Sequence, residues 1–226
     1  MQTAGGARRR NITAVFFDMD NTLFDFVEAK IAACTAVSEI LGLGRGEDLL
    51  QYFLRDGRDF EGLDNIRDFM ADNGIDCEEI FARCCRSYET TKLDRITAYP
   101  NTKATISSLR QQGIALSVIT DAHSRNARAR LEKAGLSGLF DQLVTCDMTG
   151  TKKPDPFVFQ YALERSGLSP GEVLVVGDSL RRDISPARRL GFLTAHAVYG
   201  DRNVREDRTV VPDYILADVS DVLRLV

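Results

Sequence analysis

This sequence predicts a doubly wound α/β fold: a parallel sheet with helices on both faces, interrupted after its first strand by an all-helical insertion. Three observations carry that reading. Short apolar runs rich in β-branched and aromatic residues recur along the chain, and each is followed by a stretch of helical periodicity. One segment, residues 26–95, has helical patterns and no convincing strand. Runs this short and continuously apolar fit strands buried on both faces, as in a parallel sheet covered by helices. Their alternation with helices is the pattern of a layered α/β core.

Residues 1–10 are small, polar and basic, which reads as a frayed tail with Arg8, Arg9 and Arg10 in solvent. No apolar stretch there suggests a signal peptide. The first strand is Ala14-Val15-Phe16-Phe17, and amphipathic helices follow at 27–41, 48–54, 66–73 and 78–91. The inserted segment, roughly 70 residues, is large enough to be a small subdomain. The expected organisation is therefore a tail (1–10), a core (11–25 and 96–226) and an insertion (26–95). Beyond the Tyr99-Pro100 turn the alternation resumes: helix 102–112, strand 115–119, helix 124–134, a weaker strand at 142–145 and helix 156–166. The clearest strand, 173–176, helix 183–190 and strand 192–198 complete it. Gly113, Gly135, Gly167 and Gly191 stand where the four helices of this part should stop.

Hydrophobic residues make up 44% of the 226 and charged residues 27%, enough for a sizeable core in a globular chain. The net charge of −4 argues against nucleic acid as a partner, because phosphate-backbone binding needs a strong positive excess. No run reaches the roughly 18 apolar residues of a membrane-spanning helix. Cys34, Cys77, Cys84, Cys85 and Cys146 are odd in number and lack C-x-x-C spacing. The plain reading is reduced thiols in a cytoplasmic protein, with a strained Cys84–Cys85 disulfide as the lesser alternative. Monomer and homodimer both remain open.

In open α/β sheets ligands bind at the carboxyl ends of the strands. The first run is followed by Asp18-Met19-Asp20-Asn21-Thr22, the second by Thr120-Asp121, the third by Lys152-Lys153-Pro154, and the fourth by Gly177-Asp178-Ser179 with Asp183 beyond. One sheet edge thus gathers carboxylates, a hydroxyl and a lysine. A strand-end carboxylate, Asp18, can attack phosphorus in line and form an acyl phosphate. Asp20, two residues on and held protonated, can give a proton to the leaving group and then serve as base for the hydrolytic water. The developing charge calls for magnesium on oxygen ligands: Asp18, Asp178 and the main-chain carbonyl of Asp20, with Asp183 holding metal-bound water or capping a helix. Thr120, main-chain amides of Asp121 and Ala122, and Lys153 would hold the phosphate; Lys152 reads as solvated.

This ordered set of motifs resembles the four motifs of the haloacid dehalogenase superfamily, in the branch whose helical cap follows the first strand. The resemblance implies a Rossmann-like core, a four- or five-helix cap, Asp18 as nucleophile, Asp20 as acid/base, Thr120 and Lys153 as phosphate-holding residues, and Asp178 and Asp183 as magnesium-site acids. Asp121 stands where many relatives carry asparagine. The second acid of the first motif, Asp20, separates this chain from the true dehalogenases, whose chemistry needs no proton donor.

The function expected is a magnesium-dependent phosphatase of a small phosphorylated metabolite. A phosphomutase shares the same motifs, and a non-catalytic phosphometabolite sensor is the alternative from another class. His196 reads as core packing and His123 as a loop or helix-start residue. In the insertion, Arg55, Arg58, Asp59 and Arg67 read as a solvated face, and Phe53, Phe60, Phe69 and Phe81 as core.

Overall fold

The computed structural model describes residues 12–55, 57–203 and 209–226. The N-terminal segment expected as a tail lies outside the described residues. The chain divides into two compact units, one formed by the residues up to Phe24 together with Ala98–Val226, the other by Asp25–Thr97.

The first unit is built on six strands: β1 (Ala14–Phe17), β2 (Ala115–Ile119), β3 (Gln142–Val144), β4 (Val173–Gly177), β5 (Leu193–Ala197) and β6 (Tyr214–Leu216). They form one sheet in the order β3-β2-β1-β4-β5-β6, every pair parallel. β1, β4 and β5 are buried along their whole length; β1 and β4 therefore read as unbroken apolar runs, while β5 also buries Thr194 and His196. β3 and β6 are edge strands of three residues; β6 carries an exposed Ile215 and was not expected from the sequence. On one face, Phe16, Val175, Val158, Phe159 and Phe192 pack together, with the Phe16 and Phe192 rings 6.1 Å apart.

The order matters for function. From β1 the chain builds outward through β2 and β3, then returns to the other side of β1 for β4. Connections leaving β1 and β4 therefore diverge, opening a crevice at their carboxyl ends. Register sets the depth of that crevice: Phe17 pairs with Val176, so Asp18 and Asp178 follow within a residue of one another on adjacent strands.

The second unit holds four helices, α1 (Phe26–Ile40), α2 (Gly46–Phe53), α3 (Asp64–Asp72) and α4 (Glu78–Asp94). Asp25 caps α1 by accepting from the Glu28 amide at 3.0 Å. Their apolar faces close around Val37, Leu49, Phe53, Phe69 and Tyr88, with Phe53 stacked on Tyr88 at 5.1 Å. Phe60 is a correction to the expected core set, since it is partly exposed at the unit's surface. Its ring instead covers the buried Lys30 ammonium, 3.5 Å from the centroid. Arg55 stacks on Tyr52, Arg58 pairs with Asp68, and Arg67 pairs with Glu78.

The remaining helices are α5 (Thr102–Gln111), α6 (Ser124–Lys133), α7 (Cys146–Thr149), α8 (Phe157–Ser166) and α9 (Ser185–Arg189). Gly113, Gly135, Gly167 and Gly191 follow α5, α6, α8 and α9 with φ between 68° and 87°, the left-handed region that closes helices. The helix expected at 183–190 is in fact a five-residue π-helical turn, Leu180–Ile184, followed by the short α9. No disulfide links the five cysteines, Cys84 and Cys85 included. Among the described residues, no helix is long and apolar enough to cross a membrane.

Candidate active site

Asp18 leaves the end of β1 with its amide bonded to the Val176 carbonyl at 2.8 Å, an extra rung that pins it against β4. Its side chain is buried, and Thr22 donates to its Oδ2 at 3.0 Å. The loop between them is tight: Asn21 adopts φ 62°, and the Leu23 amide returns to the Met19 carbonyl at 2.9 Å. Tyr199 fastens the same loop from outside, donating to the Thr22 carbonyl at 2.8 Å.

Lys153, just before a cis proline, reaches into the crevice from the loop after α7. Its ammonium donates to Asp18 Oδ1, to Asp183 Oδ1 at 2.7 Å and to the Ile119 carbonyl at 3.2 Å. Burial pulls the Lys153 ammonium down, but the carboxylates of Asp18, Asp183 and Asp121 outweigh it and hold its pKa above the usual lysine range. Lysine here is a permanent cation. Lys152, beside it, is exposed.

Asp178 follows β4, and Asp183 returns to it through the π turn, accepting from the Ser179 amide at 3.1 Å. Gly177 makes that return possible: a Cβ there would lie 2.5 Å from the Cβ of Asp183. Asp18, Asp178 and Asp183 each bring a carboxylate oxygen within 4.8 Å of the others, and all three side chains are buried. Burial raises the pKa of Asp18 against the opposing pull of Lys153. Burial, and then the charges of Asp18 and Asp183, push Asp178 well above the carboxylate range. Asp178 Oδ1 is buried without a hydrogen bond, with Arg182 Nη2 3.6 Å away. An all-oxygen donor set, crowded with like charge and holding an orphaned oxygen, fits a hard divalent cation such as magnesium.

Thr120 follows β2, buried, its amide bonded to the Val144 carbonyl at 2.9 Å. Its Oγ1 accepts from the Ala122 amide at 3.1 Å, which leaves the hydroxyl proton to be donated elsewhere. The Asp121 carboxylate takes a different part from the one its main-chain amide was expected to play. Its Oδ1 accepts from the Lys153 amide at 2.8 Å and its Oδ2 lies 3.5 Å from Arg182 Nη1, so it braces the loop that delivers Lys153.

Asp20 is half-buried and its Oδ2 accepts from Arg130 Nη1 at 2.8 Å. Arg130 lies on α6 and is buried. A guanidinium at that distance orients the carboxylate and favours its ionised form.

Sequence reasoning missed four residues here. Arg130 left a trace, since it shares the buried face of its helix with Ala127 and Leu131, an odd place for a charge. Arg182 left none. His196, expected as core packing, is buried in β5 but sets its Nε2 3.0 Å from the Asp178 carbonyl and 3.3 Å from Asp201 Oδ2. Asn203 donates to Asp178 Oδ2 at 3.3 Å and to Asp201 Oδ1 at 3.0 Å. These contacts, made by the far end of the chain, hold Asp178 in place.

Comparison with known proteins bears on what this constellation does. The sequence profile described as haloacid dehalogenase-like hydrolase matches residues 15–197. A glyceraldehyde 3-phosphate phosphatase of Methanocaldococcus jannaschii is 29% identical, over 95% of this chain and 97% of its own. A phosphoglycolate phosphatase of Neisseria meningitidis is 31% identical, over 94% and 92%. The solved structure of a proposed beta-phosphoglucomutase from Thermotoga maritima superposes with a TM-score of 0.80 at 23% identity, over 95% of this chain and all of that one, a likeness of fold.

Proposed function

This chain belongs to the haloacid dehalogenase-like hydrolases, as a phosphatase, and we propose that it hydrolyses a small phosphorylated metabolite through a phosphoryl group carried on Asp18. The observation that supports this most is the meeting of the buried Asp18 with the Lys153 ammonium and the Asp178–Asp183 pair, with a second carboxylate, Asp20, two residues along.

In the first half-reaction an Asp18 carboxylate oxygen attacks phosphorus, the bond to the substrate's ester oxygen breaks, and that oxygen leaves as an alcohol with a proton from Asp20. Asp20 must therefore load a proton at the expense of its pairing with Arg130. In the second half, Asp20 as a carboxylate takes a proton from water while the water oxygen attacks phosphorus. Inorganic phosphate leaves and the Asp18 carboxylate is restored. Arg130 favours the ionised form that this second half requires.

Lys153 and the Thr120 hydroxyl are placed to hold phosphoryl oxygens through both halves. Asp18, Asp178 and the main-chain carbonyl of Asp20 would hold a magnesium ion. Both oxygens of Asp183 are already engaged by Lys153 and the Ser179 amide, which suits it to bind metal-bound water. When bound, magnesium supplies charge neutralisation at the transferring group. The phosphatases similar over nearly the whole chain favour hydrolysis over isomerisation.

A panel of phosphorylated metabolites, assayed for released phosphate with and without magnesium, tests the reading. Release that needs magnesium and disappears in Asp18→Asn supports it; an isomerised product without released phosphate, or release that survives the substitution, overturns it.

A further inference from the structure

A second cluster of metal-ligating side chains lies in the first unit, apart from the three aspartates. His123 ends the loop after β2, and Cys146 and Asp147 open α7 after β3. Because β2 and β3 are parallel and in register, Ile119 against Val144, both loops emerge at the same sheet edge. The Cys146 amide lies 3.4 Å from the Ala122 carbonyl, so the two loops touch. A nitrogen of His123, the sulfur of Cys146 and an oxygen of Asp147 fall within 4.8 Å of one another.

We infer that His123, Cys146 and Asp147 form a binding site for a zinc-class divalent metal, separate from the magnesium site. The ligand chemistry differs in kind. Imidazole nitrogen, thiolate sulfur and carboxylate oxygen are the donors that zinc takes, whereas magnesium takes oxygen alone. Bonds of about 2.0–2.3 Å to a tetrahedral ion place its donors roughly 3.3–3.8 Å apart. His123 Nδ1 and Asp147 Oδ1 are already 3.8 Å apart, and the exposed imidazole has room to close the remaining gap.

The Asp147 carboxylate is also aimed. Ser124 donates to it twice, from its amide at 2.9 Å and from its hydroxyl at 2.7 Å, the kind of outer support that orients a metal ligand. Those bonds alone would be accounted for by Asp147 capping the start of α6. Capping does not account for a thiol and an imidazole within 4.8 Å of that carboxylate. Three protein ligands leave a fourth position to water, and binding exchanges the thiol proton of Cys146 for the metal. The metal would tie the Thr120–His123 loop to the start of α7.

Cobalt(II) is the probe, added to the reduced full-length protein in saturating magnesium so that the aspartate site is filled. The expected result is a thiolate-to-cobalt charge-transfer band with intense tetrahedral visible bands at one equivalent, both lost when zinc is added. Cys146→Ser removes the charge-transfer band, while Cys77→Ser and Cys85→Ser keep it. His123→Ala, at an exposed position where the fold has little at stake, weakens cobalt binding about tenfold or more. The inference is overturned by the absence of a thiolate band in the unsubstituted protein, by a band that survives Cys146→Ser, or by His123→Ala binding cobalt as tightly as the parent.

Discussion

Arg130 and Asp20 meet as a buried guanidinium and a half-buried carboxylate 2.8 Å apart, at the tip of the loop that follows the first strand. The pair explains why a helix packed on this sheet carries an arginine on its inner face. It also fixes the direction of the carboxylate proposed to serve both leaving group and water.

Arg130→Met is therefore expected to lower kcat about ten- to a hundredfold with little change in KM, because displacement of a catalytic group by about 1 Å can cost that much. Arg130→Lys should recover part of the loss, since it restores the charge without the planar fork. Steady-state kinetics on the best substrate decides the matter; equal losses in kcat for Met and Lys with a raised KM would contradict a positioning role.

Magnesium binding should release protons and tighten as pH rises. In the metal-free protein Asp18 and Asp178 have pKa values above the ordinary 3.8, Asp178 well above, so they hold protons at pH values where ordinary carboxylates have lost them. The metal needs the ionised forms and expels those protons. The same shifts make the metal-free protein lose stability as pH climbs from 3.8 toward the raised values, because the unfolded chain ionises first. Calorimetric titration in two buffers of different ionisation heat checks the proton count; equal apparent heats would contradict it.

Lys153→Met removes the cation between Asp18 and Asp183 and leaves their charges buried against each other. A loss of about 3–5 kcal/mol is expected, the usual cost of breaking a buried pair from one side. Added magnesium should restore part of it. Denaturant unfolding with and without the metal measures both terms.

Gly177→Ala tests the close approach of Asp183. With a Cβ 2.5 Å from the Asp183 Cβ, the π turn has to shift. A destabilisation of about 1–3 kcal/mol, as for other overpacked sites, should accompany weaker magnesium binding. An unchanged affinity would mean that the position of Asp183 is immaterial to the metal.

Much of this architecture can be read from the residues alone, for identifiable reasons. Strands 14–17 and 173–176 announce themselves because burial on both faces leaves unbroken apolar runs, and Gly113, Gly135, Gly167 and Gly191 mark helix ends because they take the left-handed conformation there. β6 escapes notice because an edge strand of three residues, one of them an exposed isoleucine, has neither length nor a buried pattern. The π turn at Leu180–Ile184 is set by Asp183 folding back to Ser179, a tertiary demand with no local periodicity. At the site, Asp18 and Asp178 stand just past strand ends, and Lys153 and Asp183 lie farther along in the segments that follow β3 and β4, so all four are visible in chain order. Arg182, His196 and Asn203 reach the same place by side-chain contacts from a turn, from a strand interior and from beyond β5, and no spacing in the sequence signals that.

The most direct test of the account uses Asp20→Asn with magnesium and an aryl phosphate whose leaving group departs without a proton. The first half-reaction then proceeds while the second lacks its base, and turnover should fall about 10²- to 10⁴-fold. The account predicts a burst of phenolate equal to the enzyme present and, after acid quench and digestion, a phosphorylated peptide containing Asp18. No burst together with no phosphorylated peptide, or a phosphoryl group on any other residue, would contradict it.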